Sequence, residues 1–278
     1  MNTEKTPPAR DAAIELVGVS RTFHSRGREV QALQDVSLTI PRGSAYGIVG
    51  ESGSGKSTMM RLIAGLDTPT AGRVTVNGLD ITDLPERRLG PLRKSLQVVF
   101  QDPMGSLDPR MRIGRIVAEP LVAQGHADPA ARVREVLGQV DLDPDIMNRY
   151  PHQFSGGQRQ RISIARAIAP DPEILVADEA VSALDVTVRA QILDLIADIA
   201  AARSLTLVFV SHDLSVVRRV CDQVAVLQRG QIVESGPVAD VYDRPQQDYT
   251  RQLLAAVPDL QQSLALARAR QDDRERNR

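Results

Sequence analysis

The run Gly50-Glu51-Ser52-Gly53-Ser54-Gly55-Lys56-Ser57-Thr58 constrains this chain more than any other stretch. It fits the pattern G-x-x-x-x-G-K-[S/T], and Ala45-Tyr46-Gly47-Ile48-Val49 before it reads as a short buried strand. A helix is expected immediately after. In that context the glycines let the backbone curl with its N–H groups pointing inward, and the helix start adds the positive end of its dipole. Such a cradle suits a phosphate chain. Gly50, Ser52, Gly53, Ser54, Gly55 and Thr58 would surround it, Lys56 would reach the β- and γ-phosphates, and the Ser57 hydroxyl would ligate Mg²⁺. A plain Gly/Ser-rich surface turn is the alternative, and the Lys-Ser pair with both flanks argues against it.

Length and composition bound the rest. At 278 residues, 42% hydrophobic and 25% charged, the chain reads as an ordinary soluble globular protein of one large or two small domains. A net charge of -1 gives no bulk attraction to nucleic acid or acidic membranes. No stretch approaches the roughly 20 apolar residues that cross a bilayer, and the N-terminus lacks a signal-type apolar region, so a cytoplasmic location is expected. The single Cys221 excludes an intramolecular disulfide and any multi-cysteine metal site, and it reads as a small core hydrophobe.

Residues 1–11, with Thr6-Pro7-Pro8, read as a loose tail. Ala13-Ile14-Glu15-Leu16-Val17 and the segment from Val30 to Ile40 alternate like strands, with a turn at Arg26-Gly27-Arg28, and suggest a small antiparallel sheet. Phe23 between them is either plain core or a flat platform for an adenine ring. A helix through Met59–Ala64 should stop at Gly65, followed by a strand over 72–76, a turn at Asn77-Gly78, a short helix within 84–92 and a buried strand over 96–100 that ends at Gln101. Between 101 and 155 helical patterns recur at 113–124, 129–140 and near Ile146, as in an inserted subdomain. Strands then return at 173–177, 205–210, 224–227 and 231–233, with a helix over 186–202. Alternating strands and helices argue for a mostly parallel α/β sheet with ligands at the strands' carboxyl ends.

The strand over 173–177 runs into Asp178 and Glu179, which should lie beside the phosphate loop. Asp178 would hold Mg²⁺ through its water shell and Glu179 would act as general base on a water, a role worth about 100-fold to 10,000-fold. Adjacent Ser211, His212 and Asp213 are no hydrolase triad, because such partners meet through the fold and not as sequence neighbours. The run Phe154-Ser155-Gly156-Gly157-Gln158 before a helix offers hydroxyl and N–H donors for a phosphate.

On that last run the chain resembles the ATP-binding-cassette (ABC) ATPases, whose signature is commonly Leu-Ser-Gly-Gly-Gln, with Phe154 in place of the leucine. The resemblance covers roughly residues 13–258. It implies an α/β fold: a P-loop NTPase (RecA-like) core with an antiparallel β subdomain and an inserted α-helical subdomain. The domain would span 12–258, its helical part about 102–154, with a charged tail over 259–278. It further implies that Phe23 stacks on adenine, that Gln101 is the Q-loop residue near Mg²⁺ and water, and that His212 touches the γ-phosphate. Ser182-Ala183-Leu184-Asp185 would be the D-loop, and Ser155, Gly156, Gly157, Gln158 and Asp185 would complete ATP held by a second copy. Gln101-Asp102-Pro103-Met104-Gly105-Ser106-Leu107-Asp108-Pro109-Arg110 and Pro245–Pro258 resemble the peptide/nickel importer branch, except that Gln247-Asp248 stands where His-Pro is usual.

The implied protein is the ATP-hydrolysing subunit of an importer for peptides or similar small solutes, at the cytoplasmic face of the cell membrane. Its partners would be integral-membrane permease subunits, a second identical or paralogous ATPase subunit and, indirectly, an extracytoplasmic solute-binding protein, with no nucleic acid. The rival reading is an ABC-type ATPase of a soluble assembly, either nucleic-acid- or ribosome-associated or part of a phosphonate-degrading complex. The paired cassettes, long coiled coils and zinc cysteines frequent in the nucleic-acid machines are absent from the sequence.

Overall fold

A computed structural model describes residues 12–25, 28–182 and 184–256. The expected tails at 1–11 and 259–278, residues 26 and 27 of the expected turn, Ala183 of the expected D-loop, and Val257 and Pro258 lie outside them.

Two sheets organise the chain. β1 (Ala12–Ser25), β2 (Arg28–Pro41), β4 (Ala71–Val76) and β5 (Leu79–Asp80) form an antiparallel sheet in the order β2-β1-β4-β5. The second sheet has the order β10-β9-β3-β8-β7-β6, built from β3 (Ala45–Val49), β6 (Leu96–Val99), β7 (Ile174–Asp178), β8 (Thr206–Ser211), β9 (Gln223–Gln228) and β10 (Gln231–Pro237). All its pairings are parallel except the β9–β10 hairpin. The runs that form its centre are apolar without alternation, as a strand covered on both faces requires. Tyr46, Ile48, Val176, Val208 and Val210 enter a core shared with the antiparallel sheet, whereas Val49, Leu175, Ala177, Leu207 and Phe209 enter a core shared with the helices.

Helices flank that sheet. α1 (Lys56–Ile63) leaves the loop after β3, and between β6 and β7 the chain makes α3 (Pro103–Ser106), α4 (Ile113–Ala123), α5 (Ala130–Gln139) and 3-10 turns at Pro144–Asn148 and Pro151–Gln153. α6 (Gly156–Ile168) packs against both α4 and α5. Arg132 and Arg203 fix the far end of α6, Arg132 Nε donating to Ala169 O at 3.0 Å and Arg203 Nη1 to Ile168 O at 3.2 Å. α7 (Val186–Arg203), α8 (Leu214–Val220), α9 (Val238–Asp243) and α10 (Asp248–Ala256) complete the chain.

Two sequence expectations change. The single helix within 84–92 is a 3-10 turn at Glu86–Arg88 followed by α2 (Gly90–Ser95), because Pro91 can open a helix but cannot continue one. The strand carrying Asp178 is not next to the loop strand: β8 pairs with both β3 and β7 and separates them. The two carboxylates still reach the loop, since all three strands end on the same edge of the sheet. The helices α8 and α9 carried no pattern long enough to expect. Cys221 is buried as expected, and burial pushes its thiol pKa up.

Gly47 explains how closely α8 lies on β3. A Cβ there would stand 2.2 Å from Val217 Cγ1, and valine has little rotameric freedom to withdraw. Gly47→Ala is expected to destabilise the chain by about 1–3 kcal/mol. Urea denaturation should show Gly47→Ala with Val217→Ala closer to the parent than the two single losses sum to.

Candidate active site

β3 ends at Val49 and the loop folds back to start α1 at Lys56. Gly55, its N-cap, has φ 110, and a Cβ there would lie 2.5 Å from Ala32 O of β2, so the antiparallel sheet presses on the loop where only glycine fits. Beside that same strand the β9–β10 turn packs Gly230 against Ala32 and donates the Gly230 N–H to Ser54 O at 2.8 Å. The first turn of α1 has no side-chain cap and no acidic residue. Ser54 Oγ is buried with no hydrogen-bond partner among the described residues. Uncapped helix donors, an unpartnered buried hydroxyl and a cation are thus gathered within one turn of chain, a donor set that fits a phosphate chain.

That cation is Lys56, 5% exposed, with Nζ donating to Gly50 O at 2.7 Å and to Glu51 O at 2.9 Å. Burial lowers its pKa, against the opposing pull of Glu179 and Asp178. Asp178 is raised, first by burial and then by Glu179, with Lys56 and Arg61 acting the other way. Sequence reading did not single out Arg61, one turn along α1. Ser57 is exposed and Thr58 half-buried.

Beyond β7, Glu179 adopts φ 44, a left-handed conformation unusual for its side chain, and its N–H donates to Val210 O at 2.9 Å. Its carboxylate is thereby held between two side chains that follow the ends of β6 and β8. Gln101 Nε2 donates to Glu179 Oε2 at 3.0 Å, and His212 Nδ1 stands 3.3 Å from Glu179 Oε1. Gln101, Glu179 and His212, separated in sequence, are thus brought together, and Glu179 and His212 line a cavity of about 570 Å³ with Glu51 and Ser52 of the loop. Among the described residues no group of three or more His, Cys, Asp or Glu could hold a metal ion. Ser57, Asp178 and Gln101 offer a hydroxyl, a carboxylate and an amide oxygen, the oxygen donors that a hard cation such as Mg²⁺ takes.

The Ser155–Gln158 run is a helix start and does not join that cavity. Ser155 Oγ accepts from Gln158 N–H at 3.3 Å and Gln158 Oε1 accepts from Ser155 N–H at 3.0 Å, a reciprocal cap on α6. Gly156 and Gly157 pack against Leu184 and Val188, and Asp185 caps α7 by accepting from Val188 N–H at 3.0 Å. Phe154 is buried, with the Arg149 guanidinium 4.5 Å from its ring centroid, so the bulkier residue is accommodated. Phe23 is neither core nor hidden: it is 37% exposed, paired with Val30 on β2, with the Arg21 guanidinium 4.5 Å from its ring centroid. Arg21 is itself clamped by both oxygens of Asp67.

One contact escaped the sequence reading altogether. Tyr249, in the tail motif 198 residues further along, accepts the Glu51 N–H at 3.0 Å. The departure at Gln247-Asp248 leaves that helix intact, because the Gln246 and Gln247 N–H groups are both taken by Glu234 and Asp248 supplies an acidic first residue to α10.

Comparison with known proteins agrees with this geometry. The family model described as "ABC transporter" matches residues 33–182. A putative peptide import ATP-binding protein of Brucella ovis is 48% identical over 248 residues, 88% of this chain and 78% of that one. The glutathione import ATP-binding protein GsiA of Salmonella paratyphi A is 48% identical over 242 residues, 86% of this chain and 39% of that longer one. Among solved structures, the dimeric bacterial ABC transporter cassette MJ0796 superposes with a TM-score of 0.74 at 33% identity, covering 81% of this chain and 98% of that one. The fold, the ordered motifs and these relatives together place the chain in the ABC transporter family, as one of its ATP-binding-cassette ATPases.

Proposed function

We propose that the chain is the ATP-hydrolysing subunit of a membrane importer for peptides or similar small solutes. The observation that carries the chemistry is the Glu179 carboxylate, held between Gln101 and His212 at the mouth of the Lys56 loop. Glu179 accepts a proton from a water whose oxygen attacks the γ-phosphorus, and ADP leaves as the bridging P–O bond breaks. Gln101 orients that water and His212 contacts the γ-phosphate. Lys56 and the loop N–H groups grip the β- and γ-phosphates, while Phe23 presents its open face to adenine. Ser57, Asp178 and Gln101 would hold Mg²⁺, which neutralises charge on the phosphate oxygens.

The Ser155–Gln158 run and Asp185 are assigned to the nucleotide of a second copy, identical or paralogous. In favour of this stands their separation from the cavity of their own chain.

Peptides as cargo are supported by the names of the relatives, which are import proteins for peptides and for glutathione. No described helix is long and apolar enough to cross a membrane, so on this reading the chain docks peripherally on permease subunits at the cytoplasmic face, with a solute-binding protein engaged through them. A groove of about 480 Å³ between β6, α2, α4 and α6 suits that contact. Leu66 and Phe100, 47% and 40% exposed, line it, apolar surface that a partner would cover. The helical insert, taken as about 102–154, supplies its far wall.

Glu179→Gln is expected to keep ATP binding, lose about 100-fold to 10,000-fold of phosphate release, and accumulate as an ATP-dependent dimer on size exclusion. Undiminished turnover would remove Glu179 from the base role. The docking face is tested by purifying the tagged chain from its native cells. Integral-membrane subunits should co-purify, and Leu66→Asp with Phe100→Asp should cut their recovery by about tenfold. Recovery of only soluble enzymes, ribosomes or DNA would reject the importer reading.

A further inference from the structure

The loop is braced from a direction that hydrolysis does not explain. The peptide unit joining Gly50 to Glu51 is held on both edges: its carbonyl accepts from Lys56 Nζ at 2.7 Å and its N–H donates to Tyr249 Oη at 3.0 Å. A peptide group is planar, so fixing the direction of the N–H fixes that of the carbonyl opposite. The Tyr249 hydroxyl therefore sets where the carbonyl that holds Lys56 points.

Its own position is set elsewhere. Tyr249 is 8% exposed and the next residue, Thr250, is fully buried. Thr250 Oγ1 donates to Glu234 Oε2 at 2.5 Å, and the Glu234 carboxylate also takes the Gln246 N–H at 2.8 Å and the Gln247 N–H at 3.1 Å. Glu234 belongs to β10, so the start of α10 is anchored on the sheet and not on the loop it supports.

We infer that Tyr249 is a positioning residue of the phosphate loop, acting through the Gly50–Glu51 peptide on Lys56, with Glu234 as its anchor. This rests on the reading of residues 50–58 as the phosphate site. It makes the tail helix a part of nucleotide binding that no motif of the catalytic core contains. Because the loop grips ATP and ADP alike, loss of the hydroxyl should weaken both equally and raise KM for ATP with little change in kcat.

The test uses the purified full chain, mant-ATP and mant-ADP with Mg²⁺, thermal melting, and hydrogen exchange of a peptide spanning the loop. Tyr249→Phe, which keeps the ring, is expected to raise both dissociation constants by about two- to tenfold and to speed exchange in the loop. Val241→Ala, a core truncation in α9, should lower Tm further while leaving nucleotide affinity unchanged. Unchanged affinity in Tyr249→Phe, or an equal loss in Val241→Ala, would overturn the inference. If Tyr249→Phe does not fold, Glu234→Gln should raise the dissociation constants in the same direction, and no rise would overturn it. Failure of the unsubstituted chain to bind either nucleotide would remove the phosphate site itself and the inference with it.

Discussion

A lysine ammonium withdrawn from water has to be met by fixed oxygen atoms, and the centre of this molecule is built around that requirement. Lys56 finds two loop carbonyls directly and two carboxylates at longer range. The carbonyls belong to a loop pressed by Ala32 of β2 and hydrogen-bonded by Gly230, which packs on Ala32, and the carboxylates stand at the carboxyl end of the buried strand β7. A phosphate chain entering the loop exchanges neutral carbonyl dipoles for charged oxygens around a cation already in place, without first having to order it.

The six-stranded sheet makes that arrangement possible by having two covered faces. One core joins it to the antiparallel sheet, which supplies Phe23 and the wall behind Gly55, and the other joins it to the helices, which carry the Ser155 run away from the loop. Parallel strands then deliver Val49, Asp178 and Ser211 to a single edge, and the residues that follow each of them, Gly50, Glu179 and His212, become neighbours. The left-handed turn at Glu179 is the local cost of aiming its carboxylate between Gln101 and His212.

On the proposed reading, the Lys56 loop and the Ser155 run are two halves of a nucleotide site that do not face each other on one chain. The reciprocal cap at Ser155 and Gln158 leaves a finished helix start at the surface, and Asp185 caps the neighbouring α7 by a single acceptor bond from the Val188 N–H. Both helix starts already have their donors met by side chains of this chain. The dimeric cassette that superposes on this chain has the same fold at 33% identity.

The local chemistry was legible in the amino-acid order because it depends on near neighbours. Glycines before Lys56, carboxylates closing an apolar run, and a serine three residues before Gln158 each act within one turn of chain, and the strands and longer helices followed from apolar runs and periodicity. Distance along the chain hid the rest. That β8 lies between the loop strand and the carboxylate strand, that Phe23 stands exposed with Arg21 against it, and that Tyr249 reaches back 198 residues to the Glu51 N–H are consequences of packing. Sequence determined which groups could bind a triphosphate. Tertiary structure alone decided which of them meet, because hydrogen bonds and charges act over a few ångströms and the chain brings such distances about only when its apolar faces close.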